Sequence, residues 1–412
     1  MKIAQLNIVE TSSTGKIMLQ LADLSQKKAN HDVWIATPVL YGRKKTKKTC
    51  VSHYRWGGRF SSLFHRVVGE LFGVNGLLSV FGTRKLIKRL MKFSPDVIHL
   101  HNIHAFCINV PMLFKYIKKN NIRVIWTLHD GWPFTGHCAY FSYVRCEKWK
   151  DGCHHCVQPR AYPKMLLDTS RWMYKKKKQW FTGINDMTIV TPSQWLADLV
   201  RQSFLKEYPV RVINNGIDLE VFRPTQSAFR EKYNISEGKK ILLGVAFGWA
   251  KRKGLDVFLE FAKRLDAEKY QIVLVGTNEA LDAQLPKNII SIHRTNNQTE
   301  LAEIYTSADL FVNPTREENY PTVNMEALAC GTPVLTFRTG GSPEIVDETC
   351  GAVVDCDDID AMEQEVVRIC EGEMYSRESC LQKAKAFDKN KRFEEYIKLY
   401  EDSTHPSFGT VH

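Results

Sequence analysis

Glu318 and Glu326 stand with seven residues between them, around Asn319-Tyr320-Pro321-Thr322-Val323. The apolar pattern puts Glu318 just past a strand and Glu326 in the first turns of the helix after it, so the five residues form the loop entering that helix. Amides at a helix start are unpaired and carry the positive end of the dipole, an anion site suited to a pyrophosphate. Carboxylates flanking such a site accept hydrogen bonds from sugar and ribose hydroxyls. A helix start that merely carries favourable acidic residues is the plainer alternative. Ser13-Thr14-Gly15-Lys16 follows the first strand, and Gly15 lets backbone approach a ligand closely. It is no P-loop, because that motif's first glycine and spacing are missing. His99 and His101 alternate along a strand and share a face, either as metal ligands or as a pair satisfied by hydrogen bonds. His129-Asp130 ends the next strand, on the side where α/β sites form.

Cys138, Cys146, Cys153 and Cys156 cluster within nineteen positions, the last two in Cys-His-His-Cys. A Cys-x2-Cys knuckle with two upstream cysteines can close a structural zinc site, with His137, His154 and His155 as spare ligands. Free thiols, or disulfides, are the other readings, and the spacing matches no standard finger. The seven remaining cysteines read as reduced, half-buried small hydrophobes.

The Glu-x7-Glu spacing runs into Ala327-Leu328-Ala329-Cys330-Gly331-Thr332-Pro333-Val334, and in this respect the chain resembles the retaining glycosyltransferases of the GT-B fold, family four. Ala308 to Pro314, Thr339-Gly340-Gly341-Ser342-Pro343-Glu344 and Asn215-Gly216-Ile217-Asp218 extend the likeness over most of the chain. The resemblance implies that Glu326 holds the donor's ribose and Glu318 contacts the transferred sugar. It implies that the amides of Asn319, Tyr320, Pro321, Thr322 and Val323 form the loop meeting the donor phosphates, and that Gly15 lies in a loop facing donor phosphate and acceptor. (Pro321 has no N–H to offer.) Lys253 matches a lysine that neutralises the leaving diphosphate. Where the family places an arginine five residues earlier, this chain has Gly248, and adjacent Arg252 is the candidate to supply the guanidinium. His129 matches the active-site histidine. Residues 127–159 resemble a cysteine-bearing insertion of a polysaccharide-building subgroup, of the capsule, exopolysaccharide or O-antigen type. No cofactor is expected for the catalysis, since basic side chains and helix amides can take a metal's place.

Elements that would position these groups alternate along the chain. Strands are expected at Lys2–Ile8, Asp32–Ala36, Val97–His101, Arg123–Leu128 and Thr188–Thr191, then at Lys240–Ala246, Gln271–Val275, Ile289–Ile292, Leu310–Asn313 and Pro333–Thr336, with helices between. The rhythm breaks at the Asn-Asn-Gly-Ile-Asp turn near Asn214. The expected fold is therefore α/β, of the GT-B type: two Rossmann-like doubly wound domains facing across a cleft. The first, acceptor-binding, covers 1–214, with the cysteine-bearing insertion at 137–159. The second, binding the nucleotide sugar, covers 215–385. A helix and tail at 386–412 return to the first domain, with Phe393, Tyr396, Ile397 and Tyr400 on one helical face.

Within residues 57–81, Phe60, Leu63, Phe64, Val67, Val68, Leu71 and Phe72 share helical spacing, beside Arg59 and Arg66. This reads as a helix packed on its own sheet, with a membrane-surface helix as the alternative.

Charge divides the chain. Residues 1–215 carry 34 Lys+Arg against 12 Asp+Glu, and the remainder 23 against 33. So basic a first half calls for an anionic partner. With 44% hydrophobic residues the chain is an ordinary globular protein, and no apolar run reaches the ~18 residues of a membrane span. With a strand starting at its first residues, it is expected to remain cytoplasmic, at the inner face of the membrane.

With the charge division, the resemblance implies transfer, with retention, from a UDP- or GDP-sugar to a lipid-linked oligosaccharide of a bacterial surface polysaccharide. The partners are then the nucleotide sugar, the lipid-linked acceptor and an anionic membrane surface, without nucleic acid. Nucleic-acid binding by the basic half, a catalytically inactive sugar-nucleotide-binding relative and a dinucleotide oxidoreductase are the rivals. Against the last, no G-x-G-x-x-G follows the first strand.

Overall fold

The computed structural model describes residues 1–10, 13–40, 51–104, 106–372 and 374–402. The Lys44-Lys45 run and Cys50 lie outside these residues. The described chain forms two compact units, residues 1–213 with 393–402, and 214–392.

The first unit is built on a parallel sheet of β1 (Lys2–Leu6), β2 (Asp32–Pro38), β3 (Ser52–Trp56), β4 (Val97–Leu100), β5 (Arg123–Thr127), β6 (Met187–Thr191) and β7 (Val210–Val212). Their order is β3-β2-β1-β4-β5-β6-β7. The second unit carries β8 (Lys240–Val245), β9 (Tyr270–Val275), β10 (Ile289–Ile292), β11 (Leu310–Asn313), β12 (Val334–Phe337) and β13 (Gly351–Val354), in the order β10-β9-β8-β11-β12-β13. Both sheets are doubly wound, and each reverses its strand order once, between β1 and β4 and between β8 and β11. Ligands of such sheets sit beyond the strand ends at that reversal. The central strands are buried on both faces because helices cover them; β4, β6 and β11 are buried throughout.

All ten expected strands are present. Three further strands, β3, β7 and β13, are edge strands with weak signals: Ser-His-Tyr-Arg-Trp is half-exposed and polar, Val-Arg-Val has three residues, and Gly-Ala-Val-Val opens on glycine. The Lys389–Glu401 helix returns to the first unit, where Phe393, Tyr396, Leu399 and Tyr400 share a core cluster with Ile3, Val33, Val97 and Ile125. The interdomain turn is tied to the start of this helix within the second unit. The Ile217 amide donates to the Phe387 carbonyl at 2.8 Å, and the Lys389 amide to the Ile217 carbonyl at 3.0 Å.

One expectation is reversed. The Arg59–Phe72 helix does not lay its large apolar side chains on the sheet. Its buried residues are Ser62, His65 and Gly69, while Phe60, Phe64, Val67, Leu71 and Phe72 are exposed. Glycine faces inward because the Phe106 ring leaves no room for a Cβ: one at Gly69 would lie 2.7 Å from it.

Candidate functional site

In the second unit, the loops leaving β8, β11 and β12 carry most of the expected site. Glu318, five residues beyond β11, directs Oε2 to the Nζ of Lys253 at 2.5 Å. Lys253 closes a short helical turn, Lys251–Lys253, ahead of Gly254, whose φ of +78° suits glycine. A Cβ there would meet the Pro314 carbonyl at 2.4 Å, so this glycine lets the β8 loop seat directly on the β11 loop. Arg252 Nη1 reaches the Glu317 carbonyl at 3.3 Å. That contact brings Arg252 to the residue next to Glu318.

Glu326 lies in the Thr322–Ala329 helix, half-buried, and accepts a hydrogen bond from the buried Tyr305 hydroxyl at 3.3 Å. Tyr320 and Asn319 are buried in the loop before it. Pro321 occupies the N-cap position, and no side chain caps this helix. The Asn324 amide donates to the Pro321 carbonyl at 3.3 Å, which leaves the Thr322 and Val323 amides for the oxygens of a ligand. Behind the helix start, Asn313 Nδ2 donates to Asn324 Oδ1 at 2.7 Å, which pins the helix to the end of β11. The β12 loop closes the arrangement: the Gly341 amide donates to the Asn319 carbonyl at 2.7 Å. Gly340 has φ +53°, and a Cβ on it would lie 1.7 Å from the Glu318 carbonyl oxygen.

Sequence reading passed over the residue that holds these loops together. Arg316 is only 4% exposed in its side chain. It donates to both Asp256 oxygens at 2.7 and 2.8 Å, to Asp357 Oδ1 at 2.5 Å and to the Lys251 carbonyl at 2.5 Å. Its own amide donates to the Arg252 carbonyl at 2.9 Å. Its signal was its place: an arginine two residues before Glu318, with an aspartate opening the next helix after the basic loop.

In the first unit, Gly15 lies in the first turn of the Ser13–Ala29 helix and is buried. A Cβ there would meet the backbone of Val9 and Glu10 at 2.5–2.8 Å, so the glycine also serves the packing of helix on loop. His129, two residues past β5, has Nε2 3.2 Å from His101 Nδ1. Burial lowers the His129 pKa to about 4, so the ring is neutral at neutral pH. The expected pair at β4 is satisfied by hydrogen bonds: His99 Nδ1 meets the Tyr400 hydroxyl at 2.6 Å and Nε2 meets Thr127 Oγ1 at 2.8 Å, while His101 Nε2 lies 3.4 Å from Gln5 Oε1. Burial lowers the His99 pKa to about 3 and holds His101 well below the ordinary range. Asp130 is buried as well. Burial works to raise its pKa, but the contact to His104 Nε2 at 2.9 Å and the Trp132 amide at 3.0 Å outweigh it, and the carboxyl titrates below its usual range.

The four clustered cysteines are half-buried or buried thiols. Burial, with the other three thiols adding to it, pushes Cys138 up to about 12, and burial pushes Cys153 up to about 11. Among the described residues no group of three or more His, Cys, Asp or Glu side chains is arranged to hold a metal ion. Near two of these thiols, Cys138 and Cys153, lies Lys177, fully buried. Its ammonium donates to the Trp132 and Thr135 carbonyls at 2.7 and 3.1 Å and lies 3.6 Å from the Trp132 ring centroid. Burial draws its pKa down to about 7. Beside it, Cys153, His154, Arg171 and Lys175 help line an open hollow of about 800 Å³.

Residues 18–221 match the model of Glycosyltransferase Family 4, and residues 225–393 that of Glycosyl transferases group 1. WcaC of Escherichia coli K12, named for glycosyl transfer in colanic acid biosynthesis, is 24% identical over 98% of this chain and 100% of that protein. Among solved structures, sucrose-phosphate synthase from Thermosynechococcus elongatus covers 97% of this chain and 98% of its own at a TM-score of 0.70 and 16% identity. Anabaena Alr3699/HepE in complex with UDP-glucose covers 97% and 99% at 0.65 and 12%. At these identities the structures speak for the fold. Among the described residues no helix is long and apolar enough to cross a membrane.

Proposed function

The chain belongs to the GT-B glycosyltransferases of family 4, and we propose that it moves a sugar, with retention, from a UDP- or GDP-sugar to a lipid-linked oligosaccharide during bacterial surface-polysaccharide synthesis. The observation that carries this reading is the Lys253–Glu318 pair beside the uncapped start of the Thr322–Ala329 helix. A diphosphate bound there meets free amides, the helix dipole and two cations, Arg252 and Lys253, on the side where negative charge grows as the sugar departs. Glu326, steadied by Tyr305, is placed one to two turns along the helix to take the ribose hydroxyls. UDP-glucose in the HepE complex supports a nucleotide-sugar donor, and the E. coli relative supports a polysaccharide product.

Glu318 is engaged by an ammonium, which suits it to stabilising positive charge on the sugar better than to forming a covalent bond. The C1–phosphate bond then breaks while the acceptor oxygen bonds to C1 on the same face, and the acceptor's proton passes to the departing phosphate. His129, kept neutral by burial, fits hydrogen bonding to sugar or reacting oxygens. The hollow lined by Arg171, Lys175 and Lys178, with Asp151 and Asp168 also on its wall, suits the pyrophosphate of a lipid carrier; on this reading the site of work is the inner membrane face.

The test is a panel of UDP-, GDP- and ADP-sugars with membrane extract as acceptor source, following nucleotide diphosphate release for the parent chain and Glu318→Ala. Release from one donor, lost in the variant, is the expected result. A thermal shift without release would favour the inactive-relative reading, and absence of both with every donor would favour the nucleic-acid reading.

A further inference from the structure

The Arg59–Phe72 helix is turned the wrong way for a helix covering a sheet in water. Its small and polar residues hold it to the domain: His65 Nδ1 meets Ser79 Oγ at 2.8 Å, His65 Nε2 accepts from the Leu78 amide at 3.3 Å, and Gly69 abuts Phe106. Its opposite stripe, at positions i, i+4, i+7 and i+11, is Phe60, Phe64, Val67 and Leu71, with Phe60 88% and Phe64 64% exposed. An amphipathic helix of a water-facing domain presents the reverse.

The stripe continues beyond the helix at both ends. Gly82 packs on the backbone of Gly57, which sets Phe81, 79% exposed, at the helix start. The Leu166 amide donates to the Glu70 carbonyl at 2.7 Å and the Leu167 amide to the Leu71 carbonyl at 3.1 Å, so two more exposed leucines flank its end. Contiguous exposed apolar surface of this kind marks an interaction site.

Charge selects the partner. Residues 57–93 hold seven Lys or Arg and a single acidic residue, Glu70, already paired to Arg66 at 2.9 Å. Arg84, Lys85 and Lys88 are exposed and have no acidic partner among the described residues. We infer that this face docks on a bilayer bearing anionic lipid, with Phe60, Phe64, Phe81 and the leucines sunk to the acyl boundary and the lysines and arginines among the headgroups. A protein partner with an acidic surface would answer the charge, but it would have to supply a groove for five protruding large side chains; a fluid bilayer accommodates them without one. The Ser170–Phe181 helix that lines the basic hollow begins at this face, since Thr169 Oγ1 donates to the Gly73 carbonyl at 3.0 Å. A lipid carrier's pyrophosphate would therefore meet Arg171 and Lys175 near the headgroup plane. The inference rests on the proposed function only for this purpose; the docking itself requires no acceptor.

The experiment is sedimentation of the full chain with phosphatidylcholine vesicles, with and without phosphatidylglycerol, at low and high salt. The parent chain is expected to bind the anionic vesicles and to keep part of that binding at high salt, because insertion is not screened. Phe60→Ser/Phe64→Ser is expected to bind about a hundredfold more weakly, with its melting temperature and donor binding unchanged. Lys85→Gln/Lys88→Gln is expected to lose about tenfold or more at low salt and little at high salt. Equal binding by parent and double-serine chains, or a parent chain that stays in solution with anionic vesicles, would overturn the inference. So would a dimer of the parent chain that the double-serine variant dissolves, since the occupant of the face would then be a second copy. Vesicles without saccharide keep these outcomes separate from the fate of the transferase reading.

Discussion

Replacing Arg316 by lysine keeps the charge and removes the fork. In the native chain one guanidinium makes four side-chain hydrogen bonds, two to Asp256, one to Asp357 and one to the Lys251 carbonyl. A lysine ammonium cannot span two carboxylates and a carbonyl from one position, so about half of these contacts are lost. Charge-assisted hydrogen bonds contribute about 1.5–3 kcal/mol each. Here that figure is reduced, because Asp256 and Asp357 are 37% and 52% exposed in their side chains and water takes over part of each contact. A net destabilisation of about 2–3 kcal/mol follows, which lowers the melting temperature of a unit this size by roughly 5–10 °C. The functional effect is larger than the thermal one. The Lys251 carbonyl is held by the guanidinium and the Arg252 carbonyl by the Arg316 amide, so the loop that aims Lys253 at Glu318 keeps its backbone tie but loses its side-chain anchor. Small misplacements at a reacting centre lower rates by up to about a hundredfold. The assay pairs calorimetry with donor-dependent diphosphate release. A variant within about 2 °C of the parent and with unchanged kcat/KM for the donor would refute the clamp.

The remaining predictions concern separate parts of the molecule. Lys253→Ala and Glu318→Ala should each lower kcat by about a hundredfold or more, and the double variant should be worse than either single one if both groups meet the donor; a double no worse than the poorer single would mean that Lys253 only orients Glu318. Gly340→Ala should nearly abolish diphosphate release and also lower the melting temperature, because its Cβ would drive into the Glu318 carbonyl and the backbone must shift. Tyr400→Phe should destabilise the first unit by about 1–3 kcal/mol in urea titration, since it leaves His99 Nδ1 buried without its partner. Stability should also fall on acidification. His65, His129 and His137 titrate near 4 in the folded chain because of burial, against 6.5 unfolded, so below pH 6.5 the unfolded chain takes up protons that the native one refuses. Their contribution is complete above pH 6.5 and is lost as pH falls from there towards 4, by about 2 kcal/mol per such histidine at pH 5. A melting temperature flat between pH 7 and 5 would contradict it.

What could be read from sequence was whatever depends on local chain. Strands at sheet centres are apolar runs bounded by turns, and a helix start after Tyr320-Pro321 shows in the residues themselves. Alternation alone placed the loops at β8, β11 and β12 at one end of a doubly wound sheet; Glu318 stood out by its spacing from Glu326, and Lys253 and Gly340 through the resemblance to the family. What was not legible depends on partners distant in the chain. Arg316 needs Asp357, forty-one residues away, and His99 needs Tyr400, three hundred and one residues on. Hydrophobic periodicity could not say which way the Arg59–Phe72 helix faces either, because the same stripe is written for a core and for a membrane. The deciding residues were the quiet ones opposite the stripe, Ser62, His65 and Gly69. Their small size and their hydrogen bonds allow close approach to the domain, and that approach turns the phenylalanines outward. A helix whose polar side is smaller than its apolar side, and whose only acidic residue is already paired, is better read from what its inner face can pack against than from the strength of its hydrophobic stripe.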